Sequence, residues 1–243
     1  MTNAISDLLA SAETQLPVFR RLVAGIPYER KGIPNSEMFF LWLCAQAVRP
    51  NRILESGRAR GQSTLVLARC FPEAEIISVE HDPASPDVVV AAERLKGEAN
   101  VRLLFGDATR LLPKIAQPGD IALIDGPKGF RGVRFALALL ASERLPMIFV
   151  HDAGPQTAER DFFEQYLPGV RYSDEPDVVR VSHELDDEEA MEIPPANRFA
   201  AVSGRTGYGY GYGLACLAHE PGAGYSLHRI RASLAGLASR FAK

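Results

Sequence analysis

A doubly wound α/β fold, with a mostly parallel seven-stranded sheet and helices on both faces, is predicted by three features of this 243-residue chain. From Arg52 onward, short β-rich runs alternate with helical segments, which is the pattern a parallel sheet with crossover helices requires. The first of these runs passes through a glycine-bearing turn directly into a helix. Two later β-rich stretches, Gly169 to Tyr172 and Leu214 to Ala218, are placed to close the sheet.

The five alternating runs are Ile53 to Glu55, Glu75 to Glu80, Val101 to Phe105, Asp120 to Ile124 and Met147 to Val150. Helices are expected near Ser63 to Arg69, Pro86 to Leu95, Leu111 to Ile115, Gly132 to Leu140 and Ala158 to Tyr166. The second of these has clear start chemistry, because Ser85 can cap, Pro86 suits a first helical position and Asp87 complements the dipole. Residues 1–50 read as an N-terminal helical cap, with Ile5, Leu8, Leu9, Met38, Phe39, Leu41, Trp42 and Leu43 as apolar faces around a Pro-containing loop. The α/β domain is assigned to 51–220. Within it, 173–213 reads as an insertion and a substrate lid, carrying an acidic run from Glu184 to Glu189 and the repeat from Gly207 to Gly213. That repeat could close its rings over a ligand, but reads better as an ordinary turn or hairpin. The segment 221–243 reads as a C-terminal helix, with Leu227, Ile230, Leu234, Leu237 and Phe241 on one face that would pack on the domain or on a second subunit.

Composition excludes several functional classes. A net charge of −3 and a pI near 6.0 provide no broad positive field, so no nucleic-acid partner is expected. Cys44, Cys70 and Cys216 are far apart and sit among apolar neighbours, which forms neither a disulfide framework nor a metal knuckle. Met1 to Leu16 lacks the basic start and apolar run of a secretion signal, and no stretch approaches the roughly 20 apolar residues that span a bilayer. A cytoplasmic protein without membrane attachment is the expectation. Homo-oligomer formation through the terminal helices stays open.

The chemistry is concentrated at the ends of successive strands. Glu55-Ser56-Gly57-Arg58-Ala59-Arg60-Gly61-Gln62-Ser63-Thr64 places glycines at Gly57 and Gly61, a spacing different from the G-x-G-x-x-G of dinucleotide folds. Glu80 ends the second run, where a carboxylate can accept both hydroxyl hydrogens of a ribose. Asp107 and Ala108 follow the third, Asp125 and Lys128 the fourth, and His151 and Asp152 the fifth. Any one of these acids alone reads as well as a helix cap or solvated loop residue, and His151 as a core histidine satisfied by backbone. Three acids in register at the ends of the first three strands are harder to assign to chance.

This acidic-x-Gly-x-x-x-Gly motif resembles the first motif of the class I S-adenosylmethionine-dependent methyltransferases, a Rossmann-like superfamily. It is most similar to their catechol O-methyltransferase-like branch, which has Ser or Thr just beyond the motif. The resemblance covers Arg52 to about Glu164. It implies that Glu55, Gly57 and Gly61 bracket the methionine end of S-adenosylmethionine, that Ser63 bonds its carboxylate, that Glu80 holds the ribose, and that Asp107 with Ala108 reads adenine. It also implies a catalytic set of Lys128 as general base with Asp125 and His151, and a divalent metal, Mg or Mn, on Asp125, His151 and Asp152. A base role would require the Lys128 pKa to be lowered by burial and a nearby metal. An all-oxygen set suits magnesium, whereas a histidine favours manganese, zinc or iron, or no metal at all. The implied activity is O-methylation of a small hydroxylated acceptor. Rival readings are a binding protein that keeps the fold without transfer, and an enzyme acting on a nucleotide or nucleotide sugar.

Overall fold

The computed structural model describes residues 1–27, 29, 32–186 and 213–241. Three helices, α1 (Thr2–Ala10), α2 (Ala12–Val23) and α3 (Asn35–Ala45), precede the alternating unit. The chain then runs through β1 (Arg52–Ser56), α4 (Gln62–Cys70), β2 (Glu75–Glu80), α5 (Asp87–Leu95), β3 (Val101–Phe105), α6 (Ala108–Ile115), β4 (Ile121–Ile124), α7 (Phe130–Leu140), β5 (Met147–Val150) and α8 (Ala158–Tyr166). It continues through β6 (Arg171–Tyr172), α9 (Pro176–Ser182), a short 3-10 turn (His183–Asp186), β7 (Ala215–Ala218) and α10 (Tyr225–Phe241). The acidic run beyond Asp186 and the glycine-tyrosine repeat before Gly213 lie outside the described residues.

The seven strands form one sheet in the order β3-β2-β1-β4-β5-β7-β6, with β7 antiparallel to both β5 and β6 and every other pair parallel. This is the doubly wound sheet expected from the alternation. β4 and β5 read as continuous apolar runs because helices cover both their faces. The strand order reverses beside β1, so the helices that follow β1 and β4 lie on opposite faces and leave a crevice at the carboxyl edge of the sheet.

Helix α3 is apolar on all sides, the pattern of a helix enclosed by protein, and every residue from Ser36 to Ala45 is buried. Its Phe40 meets Phe149 of β5 edge-on at 6.5 Å, and both rings are fully buried. The N-terminal segment therefore shares a hydrophobic core with the sheet, and its first turn reaches the carboxyl edge of β5.

The C-terminal helix meets the domain through a face other than its leucine stripe. It lies on α7 through Ala232, Ala235 and Gly236, and a Cβ at Gly236 would stand 2.9 Å from the Phe130 side chain. Small residues permit this close approach. Leu227, Ile230, Leu234 and Leu237, the stripe expected to pack on the domain or on a second subunit, do not pack on the domain and are each more than half exposed. The side chains of Arg240 and Phe241 lie outside the described residues.

Truncating Phe40 should destabilise the α/β core itself, because its ring is shared between α3 and β5. Phe40→Ala is expected to lower the unfolding free energy by about 3–5 kcal/mol, read from urea denaturation. A loss well below 1 kcal/mol would place α3 outside the cooperative unit.

Candidate active site

The turn after β1 is built on left-handed backbone at Gly57 (φ +86) and Gly61 (φ +76), which a β-carbon would strain. Space is also limiting: a Cβ on Gly57 would stand 3.1 Å from the Gly126 nitrogen, and one on Gly61 3.0 Å from Leu95. The Ser56 carbonyl accepts from the backbone amides of both Asp125 and Gly126 at 2.9 Å, and the Ser56 hydroxyl donates to the Gly126 carbonyl. The turns after β1 and β4 are thus locked edge to edge.

A cavity of about 270 Å³ opens over this seam, with Gly57, Glu80, Gly106, Asp107, Ala108 and Gly126 in its walls. Glu80 is braced by two backbone amides, Ala59 at 3.1 Å and His81 at 2.7 Å, which fix its carboxylate at the cavity edge. Asp107 caps α6, accepting from the Thr109 amide at 2.9 Å and the Thr109 hydroxyl at 2.6 Å. The Thr109 hydrogen bonds hold its carboxyl below the usual range.

Four of the seven sequence-predicted cofactor residues, Gly57, Glu80, Asp107 and Ala108, therefore meet at one cavity, while Glu55, Gly61 and Ser63 are not in its walls. Gly61 backs onto Leu95 and Ala91 of α5. Glu55 is fully buried and accepts from the hydroxyls of Ser63, Thr64 and Ser78, each at 2.5 Å. Burial raises its pKa by more than the three hydroxyls lower it. The Ser63 hydroxyl expected on the cofactor carboxylate is turned toward Glu55, because an enclosed carboxylate needs every donor in reach. Glu55 ties β1, α4 and β2 together beneath the turn.

Beside the cavity lies a chain of five charged groups. Lys128 Nζ is 2.5 Å from Asp125 Oδ1 and 2.7 Å from Asp152 Oδ2. His151 Nδ1 is 2.6 Å from Asp125 Oδ1 and 3.3 Å from Asp152 Oδ1. The other ring nitrogen, Nε2, forms an ion pair at 3.0 Å with Glu37 Oε2. Glu37 belongs to the first turn of α3, is almost fully buried, and receives the Gly213 amide at 2.6 Å on its second oxygen. Sequence reasoning brought Asp125, Lys128, His151 and Asp152 to this place and missed Glu37. The one available signal was an acid at the head of an otherwise apolar helix, which also reads as a dipole complement.

The charges determine the protonation states. Burial alone would push the His151 pKa down, but Glu37 and Asp125 outweigh it and lift it from 6.5 to about 10. Burial likewise works against the Lys128 ammonium, and the carboxylates of Asp125 and Asp152 more than offset it, holding the pKa above its ordinary value. Burial of Asp125 is overcome by His151 and Lys128, so this carboxyl stays below its usual range. Two carboxylates thus hold the Lys128 ammonium in its charged form.

The implied metal site can be tested on its donors. Asp125, His151 and Asp152 each bring one ligating atom within 4.8 Å of the others, which is the proximity a metal needs. Both His151 nitrogens face carboxylates, and the Lys128 ammonium bridges the two aspartates where a cation would sit. By its chemistry a set of two carboxylates and an imidazole fits a divalent ion such as manganese, which would take the place between the aspartates that the Lys128 ammonium holds.

On the far side of Lys128, α7 and α10 enclose a depression of about 320 Å³, with Lys128, Arg131, Arg134, Glu159 and Leu237 among its walls. Arg131 lines both cavities. Among the described residues, no helix is long and apolar enough to cross a membrane.

Residues 54–153 match the family described as a methyltransferase domain. A catechol O-methyltransferase of Niastella koreensis is 29% identical over 130 residues, covering 51% of this chain and 59% of the relative. Another, of Mycobacterium tuberculosis, is 35% identical over 92 residues, covering 37% and 42% respectively. The chain thus spans about half the length of the relatives it matches. Among solved structures, an O-methyltransferase from Bacillus cereus in complex with SAH aligns with a TM-score of 0.47 at 18% identity, covering 86% of this chain and 90% of that one. An O-methyltransferase of Streptomyces achromogenes involved in tomaymycin synthesis aligns with a TM-score of 0.49 at 17% identity, covering 89% and 90%. The matched stretch, residues 54–153, runs from β1 to the turn after β5 and so includes the glycine turn and the strand ends that line the site. Over that stretch the chain is similar to catechol O-methyltransferases.

The raised His151 pKa has a defined sign in the pH dependence of stability. A folded pKa of about 10 against an ordinary 6.5 means the contribution of His151 is fully present below about pH 6.5 and is lost as pH rises through about 10. The depressed Asp125 pKa works in the opposite sense, its contribution fading as pH falls through the lowered value. The melting-temperature gap between wild type and His151→Gln should therefore be wide at neutral pH and shrink as pH climbs to about 10. A gap independent of pH would contradict the assignment.

Proposed function

We propose that this protein is an S-adenosylmethionine-dependent O-methyltransferase acting on a small hydroxylated acceptor. The observation that carries the reading is the juxtaposition of the Gly57–Glu80–Asp107 cavity with Lys128 and Asp125 across one seam of backbone. S-adenosylmethionine supplies an electrophilic methyl group on a sulfonium sulfur. In this reading Glu80 accepts from the ribose hydroxyls, and Asp107 with the Ala108 backbone lies against the adenine. Gly57 lets the backbone approach the methionine end closely. Transfer needs the acceptor oxygen in line with the S–CH3 bond. Lys128, half-exposed at the junction of the two depressions, is placed to meet that oxygen and favour its anionic form. Arg131 and Arg134 make the acceptor side positive, which suits a substrate with an acidic group near its hydroxyl.

Binding and chemistry are separable in this reading. S-adenosylhomocysteine at about a hundredfold excess over its Kd should raise the melting temperature by roughly 5–10 °C, whereas NAD and nucleotide sugars should leave it unchanged. Lys128→Met should keep that shift while lowering transfer to a phenolic acceptor by on the order of 10²- to 10³-fold. Stabilisation by a nucleotide sugar and not by S-adenosylhomocysteine would overturn the reading. Full activity of Lys128→Met would remove the catalytic assignment.

A further inference from the structure

We propose that α10 is a self-association surface: its exposed apolar stripe pairs with the same stripe of a second copy of this chain, and the partner helix roofs the depression beside Lys128. The pairing stands apart from the methyltransferase reading, which enters only in treating that depression as the acceptor side.

The stripe follows from helical geometry. Leu227, Ile230, Leu234 and Leu237 recur at intervals of three, four and three residues, the alternation that keeps one seam of a helix turned toward another helix. They lie opposite Tyr225 and Ala232, the buried residues of α10, so the seam points away from the domain rather than along its surface. Half of the eight large apolar side chains that stand exposed among the described residues are on this one face, and a concentration of that kind marks an interaction site.

Charge selects the occupant. A helix that lies on an anionic bilayer carries cations along its polar edges. Beside this seam stand Ser226 and Ser233 on one edge, and Arg231 and Ala238 on the other. Arg231, the one charge among them, is drawn back over the Tyr166 ring at 4.9 Å. With a net charge of −3 the chain as a whole is also repelled by an anionic surface. Small and nearly neutral edges instead let two copies of α10 approach closely without opposing like charges. A two-fold interface needs one patch that complements itself, and an apolar seam of regular spacing does so.

Area points to the same arrangement. Four side chains, each more than half exposed, offer roughly 400 Å² per copy, about half of what one partner brings to a standard interface. The remainder is at hand on both flanks. Leu234 is also in the wall of a groove of about 520 Å³ between α8 and α10, with Phe162, Tyr166 and Ala238. Leu237 is also in the wall of the depression of about 320 Å³ that holds Lys128, Arg131 and Arg134. A helix seated on the seam reaches over both hollows and closes the second toward solvent, which in the methyltransferase reading keeps water from the acceptor.

Sedimentation velocity on the full chain at roughly 100 μM, well above the micromolar Kd of a modest interface, reads the association directly. Wild type is expected to sediment at twice the 26.5 kDa chain mass. Ile230→Arg changes a residue that lines neither hollow, and it should weaken pairing by on the order of 100-fold, because α10 contains no carboxylate to meet the buried charge. Leu227→Arg, at the end of the seam, should weaken it less. A monomeric wild type overturns the proposal. So does a dimer that persists unchanged in both variants, since another face would then carry it. Wild-type protein that stays monomeric and co-sediments with phosphatidylglycerol vesicles would give the stripe to a lipid surface and overturn it equally. Melting with S-adenosylhomocysteine, run on each protein, confirms that the variants fold and reports the methyltransferase reading separately: a missing shift in a dimeric wild type counts against that reading and leaves the pairing intact.

Discussion

The organisation of this molecule depends on the contact between two turns, Ser56–Gly57 after β1 and Asp125–Gly126 after β4. β1 and β4 are adjacent in the sheet, and the Ser56 carbonyl extends their pairing by one step through the amides of both Asp125 and Gly126. Gly57 has room for hydrogen alone on the side facing Gly126. The contact brings two chemically different halves together, with the Glu80 and Asp107 cavity on one side and the Asp125–Lys128 charges on the other. A doubly wound sheet offers this meeting point where its strand order reverses.

Two buried polar clusters support the seam in different ways. Below it, Glu55 is enclosed with Ser63, Thr64 and Ser78, and fastens β1 to α4 and β2. Beside it, Glu37, His151, Asp125, Lys128 and Asp152 alternate in charge from the buried first turn of α3 to the exposed sheet edge. In the first cluster neutral hydroxyls satisfy a carboxylate, which immobilises the turn. The second holds charge next to the place where a reacting oxygen would lie, so its organisation bears on chemistry rather than on fold alone. Both depend on burial, because low local polarity strengthens each contact and makes an unpaired member costly.

The sheet was legible in the sequence because strands covered on both faces read as short apolar runs, and the turns between them carry residues that strands and helices avoid. β2, β3 and β5 run as expected, and β1, β4, β6 and β7 differ by a residue or two at their ends. Asp125, Lys128, His151 and Asp152 were legible as a group because residues at the carboxyl ends of neighbouring parallel strands must share one edge. Other features depend on tertiary packing that no local pattern encodes. Glu37 belongs to a helix remote in sequence, and the burial of α3 against the sheet, Phe40 on Phe149 included, brings it to His151. The direction of the Ser63 hydroxyl is decided by the enclosure of Glu55, not by the motif that contains both. In α10 the leucine spacing marks an apolar face correctly, yet small residues on another face win the contact with α7, because close approach of the helix backbones matters more there than side-chain size.

The most direct measurement of the central claim is a crystal structure with S-adenosylhomocysteine bound. The account predicts ribose hydroxyls on Glu80, adenine beside Asp107, and the thioether sulfur above the Gly57–Gly126 seam on the side facing Lys128. A ligand lodged away from that seam, or one whose sulfur points away from Lys128, would contradict it.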